Sequence, residues 1–523
     1  MNHPAPHLAY RPDIDGLRAL AVLSVVVFHA FPDLLPGGFI GVDVFFVISG
    51  YLISLIIFKL HAAGGFGFAD FYARRIRRIF PVLLVVVFAS LVLGWSVLLP
   101  DEYAQLGKHG LAGMGFVANV VFWQEAGYFD TAAELKPFLH LWSLGIEEQF
   151  YIVWPAIVAW AWHRGISPGR VIAVLGAASL VACVLLTPTH PQAGFFLPPT
   201  RAWELLGGAL LAWRLHHRGA LFDGTASRLA SGVSLVGLGL LLLGLGLIDG
   251  TRDFPGVWAV LPVSGAVLMI AAGNAGVINR RVLAHPLMVW FGLISFPLYL
   301  WHWPLLSFVR IVFAERVTAT LLLATVALAV LLAWLSYRLL ETPVRHHGGR
   351  RAVIGLVIAS VVAAALAGNI MSRDGLAFRL QDAQAKREAQ ALEWPDVLRS
   401  DVECSEKVVH GRLGGWCLVA DPTRAPTAMI IGDSHANHYF WALRDGVLEQ
   451  GGNLLQIANG ACMPVAGIDL LKEGRYFGCP KVIDAAIEYA IAAPEVETVF
   501  LAARWGGYIA KRELRDWETG ERD

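Results

Sequence analysis

Eleven apolar segments dominate the first two thirds of the chain, each long enough to cross about 30 Å of hydrocarbon as a helix. They lie near 14–32, 38–60, 80–99, 140–163, 171–187, 200–215, 230–248, 257–272, 286–311, 318–340 and 352–369. Residues 105–123 are apolar too, but carry Gln105, Lys108, His109, Asn119 and four glycines. Basic clusters decide whether that piece spans, because Lys and Arg collect in cytoplasmic loops. Left out as a re-entrant or surface segment, it puts RRIRR (74–78), HR…R (163–170), RLHHR (214–218), NRR (279–281) and RHHGGRR (345–351) all on the cytoplasmic side. Counted as a span, it sends the last four outside. The pattern predicts an all-α polytopic membrane domain of about eleven transmembrane helices. Its N-terminus is then cytoplasmic, and everything from about 371 lies outside the cytoplasm.

The remainder follows another rhythm. Residues 371–425, with the charged run QDAQAKREAQALEW, predict an extracytoplasmic linker with some helix. From 426, TAMIIGDSHA and GNLLQIANG read as strands ending in turns, and VETVFLAARW as a further strand. ANHYFWALRDGVLEQ and a stretch around 480–492 read as helices between them. That alternation predicts a small α/β domain. The chain reaches Asp523 soon after the last strand, which is short for a complete domain of this kind and suggests C-terminal truncation.

Composition agrees with the membrane reading. Hydrophobic residues make up 56% of the 523 and charged residues only 16%, against about 25% charged in soluble proteins. Net charge is zero, so nothing points to nucleic acid. Residues 1–12 carry little positive charge, and the first apolar run holds Arg18 and no small-residue cleavage site, which predicts a retained span. Cys183 stands alone in an apolar run as a packed side chain. Cys404, Cys417, Cys462 and Cys479 lie in the polar last third without C-x-x-C spacing, favouring two disulfides over a zinc site. Of the three pairings, the local Cys404–Cys417 and Cys462–Cys479 are favoured, and no metal is expected.

Ionisable residues inside the apolar runs are the candidate chemistry, since burying them without purpose costs several kcal/mol. Asp15, Arg18 and His29 share one face of the first helix at about 100° per residue; Asp13 and Asp43 lie nearby in sequence. In HLWSLGIEEQFY (140–151), His140 and Glu147 share a face with Ser143 between them, while Glu148 and Gln149 point elsewhere. RAWELLGG (200–208) sets Arg201 and Glu204 together, with Gly207 and Gly208 allowing close approach. In SFPLYLWHWP (295–304), Tyr299 and His302 share a face, and Pro297 and Pro304 could bend that helix. The span count puts His29 about 24 Å up from the inner surface and Glu147 about 10 Å in from the outer one. His29, Glu147, Arg201, Glu204 and His302 are therefore expected to converge on one outward-leaning cavity. Structural roles compete: His140 and His302 beside tryptophans fit interfacial anchors, Arg201–Glu204 fits an ion pair, and RRIRR fits a topology determinant that could also grip a phosphorylated donor. A buried His with a carboxylate suits general-base catalysis and equally a proton-coupled transporter. The residues alone leave both open.

The motifs DGLRALAVLSVVVFHA, GFIGVDVFFVISGYLI, FYARRIRRIFP, HLWSLGIEEQFY, RAWELLGG, SFPLYLWHWP and SYRLLETP, in that order, resemble membrane acyltransferase family 3, of the O-antigen and peptidoglycan O-acetylase type. The resemblance covers about 1–345, leaving 346–370 as an additional transmembrane helix, 371–425 as the linker and 426–523 as a domain that IIGDSHA makes similar to SGNH hydrolases. It implies an integral O-acyltransferase of the bacterial cytoplasmic membrane. Such an enzyme binds no cofactor and passes acetyl from cytoplasmic acetyl-CoA to a hydroxyl of an extracytoplasmic glycan. His29 matches the family's essential first-helix histidine, Arg18 the arginine before it, and Arg75 and Arg78 the cytoplasmic R-x-x-R, where a CoA phosphate would be welcome. His29 is expected as general base with Glu147 assisting, an acyl-histidine relay being equally open. Asp43, His140, Arg201, Glu204 and His302 complete the expected donor- and substrate-binding set with Arg18, Arg75 and Arg78. Asp433-Ser434-His435 matches the GDSH block, implying Ser434 as nucleophile on a strand-to-helix turn. The family's terminal Asp-x-x-His and its Gly-x-Asn-Asp block are absent, AARWGGY (502–508) standing at the corresponding strand end, and ANGACMP (458–464) diverges from the second block. Two alternatives remain, a multispan transporter or channel with an accessory domain, and an esterase with its chemistry at Ser434.

Overall fold

The computed structural model describes residues 10–126, 132–222, 227–379, 404, 416–472, 475–505 and 514–516. The chain divides into two units, Met1–Gln381 and Asp382–Asp523. Among its described residues, the regular elements of the first unit are all helices. It contains α1 (Pro12–Ala30), α2 (Gly41–Ala62), α3 (Phe68–Val97), α4 (Pro100–Met114), α5 (Ala118–Glu125), α6 (Leu141–His163), α7 (Pro168–Leu186), α8 (Pro191–Phe196) and α9 (Pro198–Arg218). After these come α10 (Arg228–Leu247), α11 (Val260–Ala272), α12 (Pro286–Leu293), α13 (Ser295–Phe313), α14 (Ala319–Ser336), α15 (Thr342–His347) and α16 (Arg350–Ser372).

Each apolar segment of the sequence lies mainly on helix, and among the described residues seven helices, against the eleven expected, are long and apolar enough to cross a membrane. Two details differ from expectation. The segment 286–311 breaks at Ile294, between α12 and α13, and not at its prolines. Pro297 sits in the first turn of α13, where its missing N–H has no helical partner to lose, and Pro304 lies inside the continuing helix. The basic cluster 74–78 is not a loop either. It is part of α3, which starts at Phe68 and so carries its arginines on a rigid rod. Residues 105–123 fold into α4 and α5, of fifteen and eight residues, neither long enough to span.

Helices of equal mean hydropathy take inner and outer positions. The apolar stretch of α2 is 72% buried inside the unit, while that of α16 is 17% buried. The outer helices turn Val174, Leu185 and Val361 outward, which suits hydrocarbon and no other solvent. Glycine lets the inner helices touch: a Cβ on Gly50 of α2 would stand 1.8 Å from the Leu205 carbonyl oxygen, and one on Gly208 of α9 2.0 Å from that of Val47. Backbones this close need small residues at the crossing.

In the second unit, β1 (Trp416–Val419), β2 (Ala428–Gly432), α17 (Ser434–Glu449), β3 (Leu454–Ala458), β4 (Ile468–Lys472), β5 (Arg475–Tyr476), α18 (Pro480–Ala492), β6 (Thr498–Ala502) and β7 (Leu514–Asp516) follow in order. The main sheet has order β1-β3-β2-β6. β2 runs parallel to β3 and β6, and β1 antiparallel to β3. The sheet thus begins at Trp416, earlier than the expected start at 426. Disulfides join Cys404 to Cys417 and Cys462 to Cys479. The helix expected in QDAQAKREAQALEW lies outside the described residues, as does the end of AARWGGY.

Candidate functional site

A cavity of about 620 Å³ opens among α1, α2, α3, α6 and α13. Its wall brings together seven arginines, at 11, 18, 74, 75, 77, 78 and 345, against four carboxylates, Asp15, Glu147, Glu148 and Glu341. The spacing explains part of this, because Arg75 and Arg78 are three apart on α3 and share a face. Several of the charges are spoken for. Arg11 grips Asp13 with two bonds of 2.7 Å, Arg18 lies 3.5 Å from Asp15, and Arg77 donates to the Gly348 carbonyl at 2.5 Å. Arg75 stands over the Tyr151 ring at 5.7 Å. Among the described residues, neither Arg75 nor Arg78 forms an ion pair.

Glu147 accepts a 2.9 Å hydrogen bond from the Ser49 hydroxyl. Glu148, expected to point away, lines the same cavity, and its Oε1 is buried without a hydrogen-bond partner. Adjacent positions on a helix diverge by about 100°, and the cavity is wide enough to receive both. Gln149 does leave, donating to the Phe116 carbonyl at 2.7 Å and to Asn119 at 2.8 Å.

At one end the cavity meets Ser143 and Tyr299, whose hydroxyl oxygens are 2.7 Å apart. Tyr299 also donates to the His140 carbonyl at 3.0 Å. Beyond Tyr299 lie three histidines. Its ring is 5.5 Å from that of His302 and 5.6 Å from that of His140. His302 in turn meets His29 edge to edge, with centroids 5.2 Å apart and ring nitrogens 3.0 Å apart. Tyr299 and His302 therefore connect the cavity wall to His29 on α1, with His140 beside them.

The expected convergence on one cavity is divided by the structure into three places. Arg18, Arg75, Arg78 and Glu147 line the cavity; His29, His140 and His302 form the cluster at its end. Arg201, Asp43 and Glu204 stand apart. Arg201 lies 3.1 Å from Asp43 and 3.0 Å from Glu204, all three with no exposed surface. The rings of Phe46, Trp142, Phe195 and Phe254 surround its guanidinium at 5.4–5.8 Å. Helical spacing gives depth along a helix and nothing about which neighbour a face meets, so the triad could not be separated from the cavity by counting. The same limit hid Ser49 from sequence reasoning, and hid Glu341 and Arg345, which had registered only as motif and topology residues.

In the second unit, Ser434 is the first residue of α17, directly after β2 and Asp433. Asp433 caps that helix. One of its oxygens accepts from the His435 backbone N–H at 2.8 Å and lies 2.9 Å from His435 Nδ1; the other accepts from the Arg504 N–H at 3.1 Å. The divergent loop 458–464 abuts this turn, with Asn459 N–H donating to the Gly432 carbonyl at 3.0 Å. Ser434 thus sits on a strand-to-helix turn at the N-terminus of α17, the end of a helix whose dipole favours negative charge.

Comparison with known proteins agrees with both halves. The acyltransferase domain family matches residues 11–338, and the SGNH domain found fused to such domains matches residues 403–523. The O-acetyltransferase OatA of Staphylococcus aureus (strain NCTC 8325 / PS 47) is 32% identical over 356 residues, 65% of this chain and 58% of that protein. The putative peptidoglycan O-acetyltransferase YrhL of Bacillus subtilis (strain 168) is 31% identical over 67% of this chain and 57% of its own. The peptidoglycan O-acetyltransferase OatA of Listeria monocytogenes is 28% identical over 65% and 56%. The chain thus spans a little over half the length of these relatives. No solved structure matches. With its motifs, its helical unit and the family match over most of that unit, this chain belongs to the membrane acyltransferase family whose domain is fused to an SGNH domain.

Proposed function

We propose that the protein is a membrane O-acyltransferase that moves acetyl from cytoplasmic acetyl-CoA to a hydroxyl of an extracytoplasmic polysaccharide. Peptidoglycan is the acceptor suggested by the names of its relatives; an O-antigen or exopolysaccharide is of the same chemical class. The observation that carries the reading is a cavity with surplus arginine that meets a histidine cluster at Tyr299. Arginine binds phosphate through a planar fork that lysine lacks, so Arg18, Arg75 and Arg78 suit the phosphates of a CoA donor. By the positive-inside rule their end of the unit is cytoplasmic, and the domain from Trp416 onward is extracytoplasmic, where its disulfides would persist.

His29 then acts as general base. Its neutral imidazole takes the proton of the acceptor hydroxyl as that oxygen bonds to the thioester carbonyl carbon, and the C–S bond breaks to release the CoA thiolate. Glu147, held by Ser49, contributes from the cavity and not from contact with His29. Direct transfer leaves Ser434 outside this step; its hydroxyl, on the strand-to-helix turn, is the nucleophile available in the extracytoplasmic domain.

The test uses the full-length protein in liposomes, with labelled acetyl-CoA and a polysaccharide acceptor. Ester-linked acetyl on the glycan, reduced at least about 100-fold in His29→Ala, supports the reading. Glycan crossing the bilayer with no acetyl ester formed would establish a transporter in its place.

A further inference from the structure

The hydrogen bonds around His29 have a direction. His302 Nδ1 lies 3.1 Å from the Leu298 carbonyl oxygen, and a carbonyl only accepts, so the His302 proton is on Nδ1. Neutral His302 therefore offers a lone pair at Nε2, which is 3.0 Å from His29 Nδ1. A bond between those two nitrogens needs one donor, and only His29 Nδ1 is left to supply it. We propose that His302 is a positioning residue for acyl transfer, holding His29 in the Nδ1–H tautomer so that Nε2 is the basic nitrogen presented to the acceptor. The proposal rests on the reading of His29 as the base.

The surroundings reinforce the arrangement. His302 has no exposed surface, so water does not compete for its Nε2, and a bond in such surroundings is stronger than in water. The two rings are nearly parallel, with only 11° between their planes, and meet edge to edge at their nitrogens, which leaves the bond in the ring planes. Trp303 stands edge-on to His29 at 4.3 Å, fixed by its indole N–H donating to the Lys136 carbonyl at 2.8 Å. Arg310 donates to the His29 backbone carbonyl at 2.5 Å. One helix, α13, thus supplies three residues that set the ring and backbone of His29. The titratable and charged groups facing His29 are His302, His140 and Arg310.

The step balances with this tautomer. The acceptor's proton passes to His29 Nε2 as the acceptor oxygen bonds to the thioester carbon, and sulfur leaves with the electron pair of the C–S bond. The resulting imidazolium keeps its Nδ1–H on His302 Nε2, and the proton on Nε2 goes on to the thiolate. His302 does for His29 what a buried aspartate does for the histidine of a hydrolase triad, but without adding a negative charge.

Two measurements on the full-length protein in lipid test this. In 15N spectra of histidine-labelled protein at neutral pH, the His29 signal, identified by its loss in His29→Gln, is expected with Nδ1 protonated and Nε2 bare. In His302→Phe that signal becomes a mixture of tautomers. In kinetics, His302→Phe is expected to lower kcat at least about 100-fold and to leave the KM for acetyl-CoA within about twofold. The acidic limb of the pH–kcat profile moves as well, whereas a mere packing defect would lower kcat equally at every pH. His302→Gln, whose amide oxygen can accept from Nδ1–H, regains at least about tenfold. Wild-type His29 carrying its proton on Nε2, or a His302→Phe variant with wild-type kcat and pH profile, would overturn the proposal. A wild-type protein that transfers no acetyl would defeat the functional reading, while the spectrum would still decide the tautomer.

Discussion

Arg201 and Arg78 both stand among helices with carboxylates nearby, yet only Arg201 is neutralised. It has two carboxylates within 3.1 Å and an aromatic cage, with no exposed surface left for a ligand. Its partners come from α2 and from its own helix α9, the pair whose backbones touch at Gly50 and Gly208. Arg78 faces an open cavity in which arginines outnumber carboxylates seven to four. A closed triad with two anions for one cation holds helices together. An open wall with cations in surplus is incomplete without an anion from outside. Residue type is the same in both places, and stoichiometry and room distinguish them.

The largest effect should come from the triad. Arg201→Ala would strand Asp43 and Glu204 in a dry site, and removing one partner of a buried pair costs about 3–5 kcal/mol. The expected outcome is a sharp fall in thermal midpoint of the detergent-solubilised protein; an unchanged midpoint would erase the distinction between the two arginines. Arg78→Ala should do the reverse, leaving the midpoint alone and raising the KM for acetyl-CoA about 10- to 100-fold, the loss of one charge-assisted bond of about 1.5–3 kcal/mol. Its neighbour Arg77 sharpens the contrast within a single helix. Arg77 is committed to the Gly348 carbonyl, so Arg77→Ala should lower stability by about 1 kcal/mol and shift KM little. Smallest is Glu148→Gln, which removes a negative charge from the wall and should lower the donor's KM by the roughly 0.5–1 kcal/mol of a screened pair. A raised KM there would mean that Glu148 contacts the donor directly.

Much of the fold could be read from apolar segment lengths, because a hydrophobic helix in lipid must satisfy its backbone internally and so has few alternatives. What could not be read were features set by neighbours. The break at Ile294 follows no proline. The edge strand Trp416–Val419 hides in a polar stretch, since four residues pairing with β3 need no long apolar run. The site shows the same division. His29, Arg18, Arg75, Arg78 and Glu147 stood out as ionisable groups in apolar runs or as motif members. That His29 meets His302, 273 positions away, depends on α1 packing against α13, and spacing within either helix is silent on that. Glu148 lies about 100° around the helix from Glu147 and still reaches the site, because a cavity collects more than one helical stripe.

The most direct test of the central claim, that the arginine wall binds the phosphates of the donor, is the affinity of the full-length protein for CoA, measured calorimetrically in lipid at two salt concentrations. The account predicts binding that weakens as salt rises and falls at least about tenfold in the Arg75→Ala/Arg78→Ala double variant, with the thermal midpoint unchanged. CoA affinity that ignores both arginines and salt would contradict it.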